Sequence, residues 1–350
     1  MRIDTFIFLV FIGIGILLLI FNLVSPTLAF HAIEWKTIFS LFYLMVVVNV
    51  MKDTMFLDYI SLKILKRSER VFLVLIFLTL FLSAIITNDV SLFVIIPLTL
   101  IISEYADLPF DDLEKLLIFE GISANIGSAL TPIGNPQNLY LYHFYNIGAL
   151  KFIISMIPFE IFGIIVILPF LEFKKYKATI SDIEFKKEWL LYLALFVLVL
   201  LCIFGKLNFI YALPLILLVL FYKKPKIDYL LLLTFIFLFV DIEGLKRTGV
   251  IDMFLIKCNN VMLMIYSSLL SQIISNVPAA VLLSNLYNNW LPIAYGVNVG
   301  GNGTLIASFA NLITLRLSKG NIGVWRFLLL GILIYISHII LLVIYLKITC

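Results

Sequence analysis

Two stretches of this chain carry the same polar residues at one spacing, Asn125-x-Gly127-x3-Thr131-x-Ile133-x4-Asn138 and Asn298-x-Gly300-x3-Thr304-x-Ile306-x4-Asn311. The first runs on through Pro132, Gly134, Asn135 and Pro136, and the second holds Gly301, Asn302 and Gly303, so neither can sustain a regular helix. Backbone groups freed by such a break need protein, water or an ion as partners, because lipid offers none. Carbonyls that end one half-helix can coordinate a cation. The N–H groups that open the next, with Asn and Thr side chains, can hold an anion. Each copy is preceded by a second polar signal between apolar arms, Thr87-Asn88-Asp89 and Ser275-Asn276-Val277. Asn88 and the Ser275-Asn276 pair would cap the returning arms and add donors to a shared site. Packing of helices through small residues accounts for the glycines but not for the matched Asn and Thr.

Three carboxylates fall at membrane depth, Asp89, Glu120 and Glu160. A lone carboxylate there costs several kcal/mol unless it is protonated, paired or ion-bound, which marks Asp89 and Glu120 for ion coupling. Asp89 also reads as an N-cap for the arm starting at Val90, and Glu160 as facing a crevice behind Pro158. His31, His143 and His338 are isolated, and Cys202, Cys258 and Cys350 have no CxxC spacing, so neither a zinc site nor a disulfide framework is expected.

These residues need a membrane scaffold. The chain is 63% hydrophobic and 13% charged, with a mean hydropathy of +1.14, the composition of an integral membrane protein. Apolar runs predict spans near 5–24, 37–51, 116–144, 152–171, 189–204, 209–222, 227–241, 292–315 and 323–346, with segments 71–102 and 261–289 interrupted by the polar tips. The first run is too long for the core of a signal peptide and is read as a span. If each interrupted segment enters and leaves on one side, 18 of the 25 Lys and Arg residues fall on the side of the N-terminus and 7 on the other. The N-terminus is then cytoplasmic and the C-terminus outside. A single span over 71–102 would leave 12 against 13, a far poorer bias. The arm 90–102 reaches only ~20 Å at ~1.5 Å per residue, short of a core of ~30 Å, so the tip is expected to stop near the midplane. Five spans between the hairpins invert the second relative to the first. The expected fold is an all-α polytopic membrane protein, an inverted repeat with two re-entrant hairpins and two broken transmembrane helices. Residues 1–171 form the first repeat, 172–188 a basic cytoplasmic linker, and 189–350 the second repeat. Lys52 to Asp58 and Lys246 to Asp252 would be short interfacial helices ahead of each hairpin. The +4 formal charge follows this topology and does not suggest nucleic acid.

The order of tip, break, tip and break resembles the ion transporter superfamily, and is most similar to its citrate transporter (CitM) and arsenite permease (ArsB) branches. The resemblance covers nearly the whole chain. It implies a secondary carrier in which two tips and two broken helices enclose one substrate site flanked by coupling-ion sites, within a homodimer that works as an elevator. Two departures stand out. Dicarboxylate members carry Ser-Asn-Thr at both tips, where this chain has Thr87-Asn88-Asp89 and Ser275-Asn276-Val277. The first half also has two spans before its hairpin, where the second has three.

The expectation is a plasma-membrane transporter, not an enzyme, for a small anion driven by H⁺ or Na⁺. Substrate would meet Thr87, Asn88, Asn125, Gly127, Thr131, Gly134, Asn135, Asn138, Ser275, Asn276, Asn298, Gly300, Asn302, Thr304 and Asn311. Na⁺, if used, would sit near Asn88, Asn125, Asn276 and Asn298. A Na⁺/H⁺ antiporter is the alternative within the class. An intramembrane enzyme using Asp89 and Asp241 is the rival outside it, and neither Gly-x-Gly-Asp nor HExxH is present to favour it.

Overall fold

The computed structural model describes residues 9, 11–16, 24–65, 70–105, 108–172, 175, 184–249, 253 and 255–349. Every regular element among them is helical. The predicted first span 5–24 and the loop 172–188 lie largely outside the described residues, as do 251 and 252 at the end of the second interfacial stretch. A short helix not foreseen, α1 (Pro26–Ala32), is capped by Ser25, which accepts from the Leu28 amide. It leads into α2 (Trp35–Lys52) and then α3 (Phe56–Leu65), a short helix that overlaps the expected stretch Lys52 to Asp58 only from Phe56 onward, because α2 runs through to Lys52.

The first interrupted segment is a helical hairpin of α4 (Val71–Ile86) and α5 (Asn88–Tyr105), folded back at Thr87. Ser83 and Ser91 hydrogen-bond across it at 2.6 Å. The arm α5 has 18 residues rather than thirteen and reaches ~27 Å. Pro97 does not end it, because a proline inside a helix removes one hydrogen bond without stopping the chain's apolar packing. The first broken helix is α6 (Phe110–Ser128) and α7 (Pro136–Phe144), followed by α8 (Ala149–Ile167). The middle helices are α9 (Trp189–Ile203), α10 (Phe209–Lys223) and α11 (Tyr229–Arg247). A second hairpin, α12 (Asn260–Ile274) and α13 (Asn276–Ser284), turns at Ser275. The second broken helix is α14 (Trp290–Gly300), a 3-10 turn Leu305–Ala307 and α15 (Phe309–Leu317), and α16 (Val324–Thr349) ends the fold.

Each hairpin's first arm packs along the first half of the broken helix that follows it, α4 on α6 and α12 on α14. Glycine makes this approach close enough. A Cβ at Gly127 would stand 2.2 Å from the Leu80 carbonyl oxygen, and one at Gly300 would stand 2.9 Å from Ser271 Cβ. A core of Leu, Ile, Val and Phe side chains runs through both halves without a gap. Many large apolar side chains elsewhere face outward, as lipid contact requires, among them Phe221 at 75% and Leu329 at 70% exposure.

Candidate functional site

Both tips share an uncommon backbone. Thr87 has φ +87° and ψ 148°, and Ser275 has φ +73° and ψ 159°, a region nearly reserved for glycine and costing a side-chain-bearing residue on the order of 1–3 kcal/mol. Each tip is tied to its own break. Asn88 N donates to Gly134 O at 2.9 Å, and Thr131 Oγ1 to Ala84 O at 2.5 Å. In the second copy Thr304 Oγ1 donates to Gln272 O at 3.4 Å, three residues before the tip just as Ala84 is, and Ser275 Oγ donates to Ala307 O at 3.4 Å.

The two breaks are closed by matching residues. Asn138 Nδ2 closes the first by donating to the Ser128, Ala129 and Thr131 carbonyls, and Asn311 Nδ2 closes the second by donating to those of Gly301 and Thr304. Asn135 and Ser308 occupy matching positions and cap α7 and α15. The copies then clasp each other. Asn125 Nδ2 donates to Asn311 Oδ1 at 2.8 Å, and Asn298 Nδ2 to Asn138 Oδ1 at 2.7 Å. Asn135 Nδ2 donates to Asn298 Oδ1 at 2.9 Å, and Ser308 Oγ to Asn125 Oδ1 at 2.9 Å. All five clasp asparagines are buried. Gln137 Nε2 adds a bond to Asn298 Oδ1 at 3.2 Å.

In front of this clasp lies a cavity of about 90 Å³ that holds both tips, with Asn88, Asp89, Ser275, Asn276, Gln137, Ser308 and Thr234 in its wall. The residues that open four helices converge on it: Asn88 and Asp89 of α5, Pro136 and Gln137 of α7, Asn276 to Pro278 of α13, and Phe309 of α15. It adjoins a wider space of about 520 Å³ lined by Thr87, Asn135, Lys52, Lys226 and Arg316. Asp89, Pro136, Asp228, Leu230, Leu231 and Phe309 are common to both.

The predicted residues therefore divide in two. Thr87, Asn88, Asp89, Asn135, Ser275 and Asn276 line the cavities. Asn125, Gly127, Thr131, Gly134, Asn138, Asn298, Gly300, Asn302, Thr304 and Asn311 stand behind, building the wall. Glu120 is fully buried, with Oε1 accepting from Thr99 Oγ1 and Oε2 unpartnered. Asn302 is also buried, with neither side-chain atom paired. Asp89 falls in the first turn of α5, which starts at Asn88, rather than at its cap. Asp241 belongs elsewhere: its Oδ1 lies 3.0 Å from the place a Cβ on Gly15 would occupy, and it lines neither cavity with Asp89. Gln137, Asp228, Thr234, Ser308, Lys52, Lys226 and Arg316 were missed. Gln137 and Ser308 lie inside the duplicated breaks, where a signal existed, whereas the others come from elements only the fold brings here. His143 and His338 are structural, bonded to Ser40 Oγ and the Phe159 carbonyl.

A family model described as the citrate transporter (CitMHS) matches residues 5–289. The chain belongs to the citrate transporter family. It is 75% identical over 349 residues to an uncharacterized transporter of Methanocaldococcus jannaschii, covering 99% of each chain. It is 30% identical to the inner membrane protein YbiR of Escherichia coli over 93% of this chain and 90% of that one. A silicon efflux transporter of rice is 30% identical over 156 residues, 43% of this chain and 31% of the rice protein. As a member of the citrate transporter family the chain is a non-enzymatic, multi-pass membrane transport protein. The second break, 298–311, lies beyond the matched segment, so its role is read from the clasp alone.

Proposed function

We propose that this transporter is a secondary active carrier of a small anion, an organic carboxylate or inorganic oxyanion, coupled to H⁺ or Na⁺. The convergence of four helix openings on the tip cavity carries this reading. Each helix N-terminus carries roughly half a positive charge, and four of them around one concave space favour a negative solute. Asn88, Ser275, Asn276 and Gln137 would orient it. Asp89 and Asp228 would require that a proton or Na⁺ accompany the anion, because two carboxylates beside an anion repel it unless neutralised. Buried and unpaired oxygens on Glu120 and Asn302 supply further polar groups for a cation behind the tips.

The matched bonding of the two copies supports an inverted repeat, with 1–171 and 189–350 as its halves and the tips re-entering the membrane. The wider space ends at Lys52, Lys226 and Arg316, all on the side that the charge count makes cytoplasmic, so this conformation would be open inward. Alternating access by an elevator movement within a plasma-membrane homodimer is the accompanying proposal. Asp89 and Asp228 in one cavity favour a second reading, a Na⁺/H⁺ antiporter.

Proteoliposomes loaded with a pH-sensitive dye separate the two. Candidate solutes are citrate, arsenite, sulfate and phosphate, together with silicate because of the rice relative's name. Symport predicts that uptake of one of them collapses in Asn88→Ala and Asn276→Ala. Na⁺-driven proton movement with no solute present, abolished in Asp89→Asn, would favour the antiporter and retire the anion reading.

A further inference from the structure

The wide cavity differs in charge from the tip cavity it leads to. Its wall takes Lys52 from the end of α2, Lys226 from the turn before α11 and Arg316 from the last turn of α15. Lys52 Nζ lies 4.4 Å from the centroid of the Phe93 ring, which lines the same space, so its ammonium is held over the cavity wall. Among the described residues none of the three is ion-paired. Other cations at this end of the molecule are: Lys115 bonds Glu172 at 2.7 Å, and Arg326 binds Asp111 and Glu114. Lys52, Lys226 and Arg316 thus face the cavity without an ion pair. The carboxylates of Asp89 and Asp228 belong to the walls of both the wide cavity and the tip cavity, where the two meet.

A concave space lined by one sign of charge over low-dielectric walls focuses the field and concentrates counter-ions by ten-fold or more, on the order of 10–10³. We infer that this vestibule is an electrostatic funnel that selects anions before they reach the tips, with Lys52, Lys226 and Arg316 as its selecting residues. The positive region ends at the neck, where Asp89 and Asp228 oppose it. The inference deepens the anion reading and rests on it for its purpose, but its test needs no substrate.

In a background with Cys202, Cys258 and Cys350 replaced by Ser, Asn49→Cys places a thiol in the vestibule wall and Leu230→Cys one at the neck. Each is modified by anionic sulfonatoethyl and by cationic trimethylammonioethyl methanethiosulfonate, and the rate ratio is divided by that of free 2-mercaptoethanol. The funnel predicts a normalised ratio of about ten in favour of the anionic reagent at Asn49→Cys, and a smaller one at Leu230→Cys. It also predicts a fall toward one in high salt and in the Lys226→Gln, Arg316→Gln pair. Both neutralised side chains are exposed, so folding is not at risk, and Leu317→Cys serves as a second reporter if Asn49→Cys expresses poorly. A ratio at or below one, or one that the neutralised pair leaves unchanged, overturns the inference. An anionic preference with no anion uptake in proteoliposomes retires the substrate reading and keeps the funnel. Uptake without the preference does the reverse.

Discussion

Replacing Asn298 with Ala tests whether the two breaks are one interlocked unit. The substitution removes four hydrogen bonds, to Asn138 Oδ1 at 2.7 Å, to the Ala294 carbonyl at 2.8 Å, and from Asn135 and Gln137 at 2.9 and 3.2 Å. Side-chain bonds within membrane proteins average about 0.6 kcal/mol each, so the four together contribute about 2.4 kcal/mol. Burial adds to this, because Asn138 Oδ1 is left without its partner at a cost on the order of 1–3 kcal/mol. Asn135 keeps its bond to Ser128 Oγ, and a total loss of roughly 3.5–5.5 kcal/mol is expected. The decisive quantity is the coupling. Asn298→Ala and Asn138→Ala share a bond, so the double variant should lose less than the sum of the singles by about 1 kcal/mol. Asn125→Ala with Asn311→Ala should behave alike, whereas Asn298→Ala with Thr79→Ala, whose hydroxyl bonds only within α4, should add within about 0.5 kcal/mol. Denaturant unfolding in mixed micelles, followed by the fluorescence of the four tryptophans, provides the free energies. Additivity within about 0.3 kcal/mol for both asparagine pairs would refute the clasp.

Gly127→Ala drives a Cβ to 2.2 Å from a backbone oxygen that cannot yield, and should cost more than about 3 kcal/mol in a melt, while Gly148→Ala, with open space around it, should stay within about 0.5 kcal/mol. Thr87→Gly and Ser275→Gly should each stabilise the protein by on the order of 1 kcal/mol by relaxing the tips, and a melt showing neither gain would mean the strain is absent. Arg326→Ala leaves Glu114, 7% exposed, unpaired and should cost on the order of 1–2 kcal/mol after allowance for the arginine's own exposure, whereas Asp111→Ala, 83% exposed, should be neutral in the same assay. Burial pushes the Glu34 carboxyl up, with nearby Lys36 opposing. Because its folded pKa is raised, protonation stabilises the fold at low pH and that advantage is lost as pH rises, so Glu34→Gln should raise the melting temperature at pH ~8 and not at pH ~4.

The membrane class, the hairpins and the broken helices were legible in the sequence because each depends on local chemistry. Long apolar runs need lipid, glycine and proline end helices wherever they fall, and five identities at one offset betray a duplication before any contact is known. Thr87 and Ser275 were visible for the same reason, as polar interruptions between apolar arms. The length of α5 was not, because Pro97 and Ser103 weaken the pattern while tertiary packing carries the helix through to Tyr105. The partners of the asparagines were beyond reach as well. Each offers donors and acceptors to any neighbour, and only the crossing of the two breaks decides that Asn125 meets Asn311 and Asn298 meets Asn138, turning expected solute contacts into the wall behind the cavity. Asp228, Lys226 and Arg316 lack any periodic signal. They come together because the start of α11 and the end of α15 face one space, and spatial convergence of distant segments leaves no local trace in residue order.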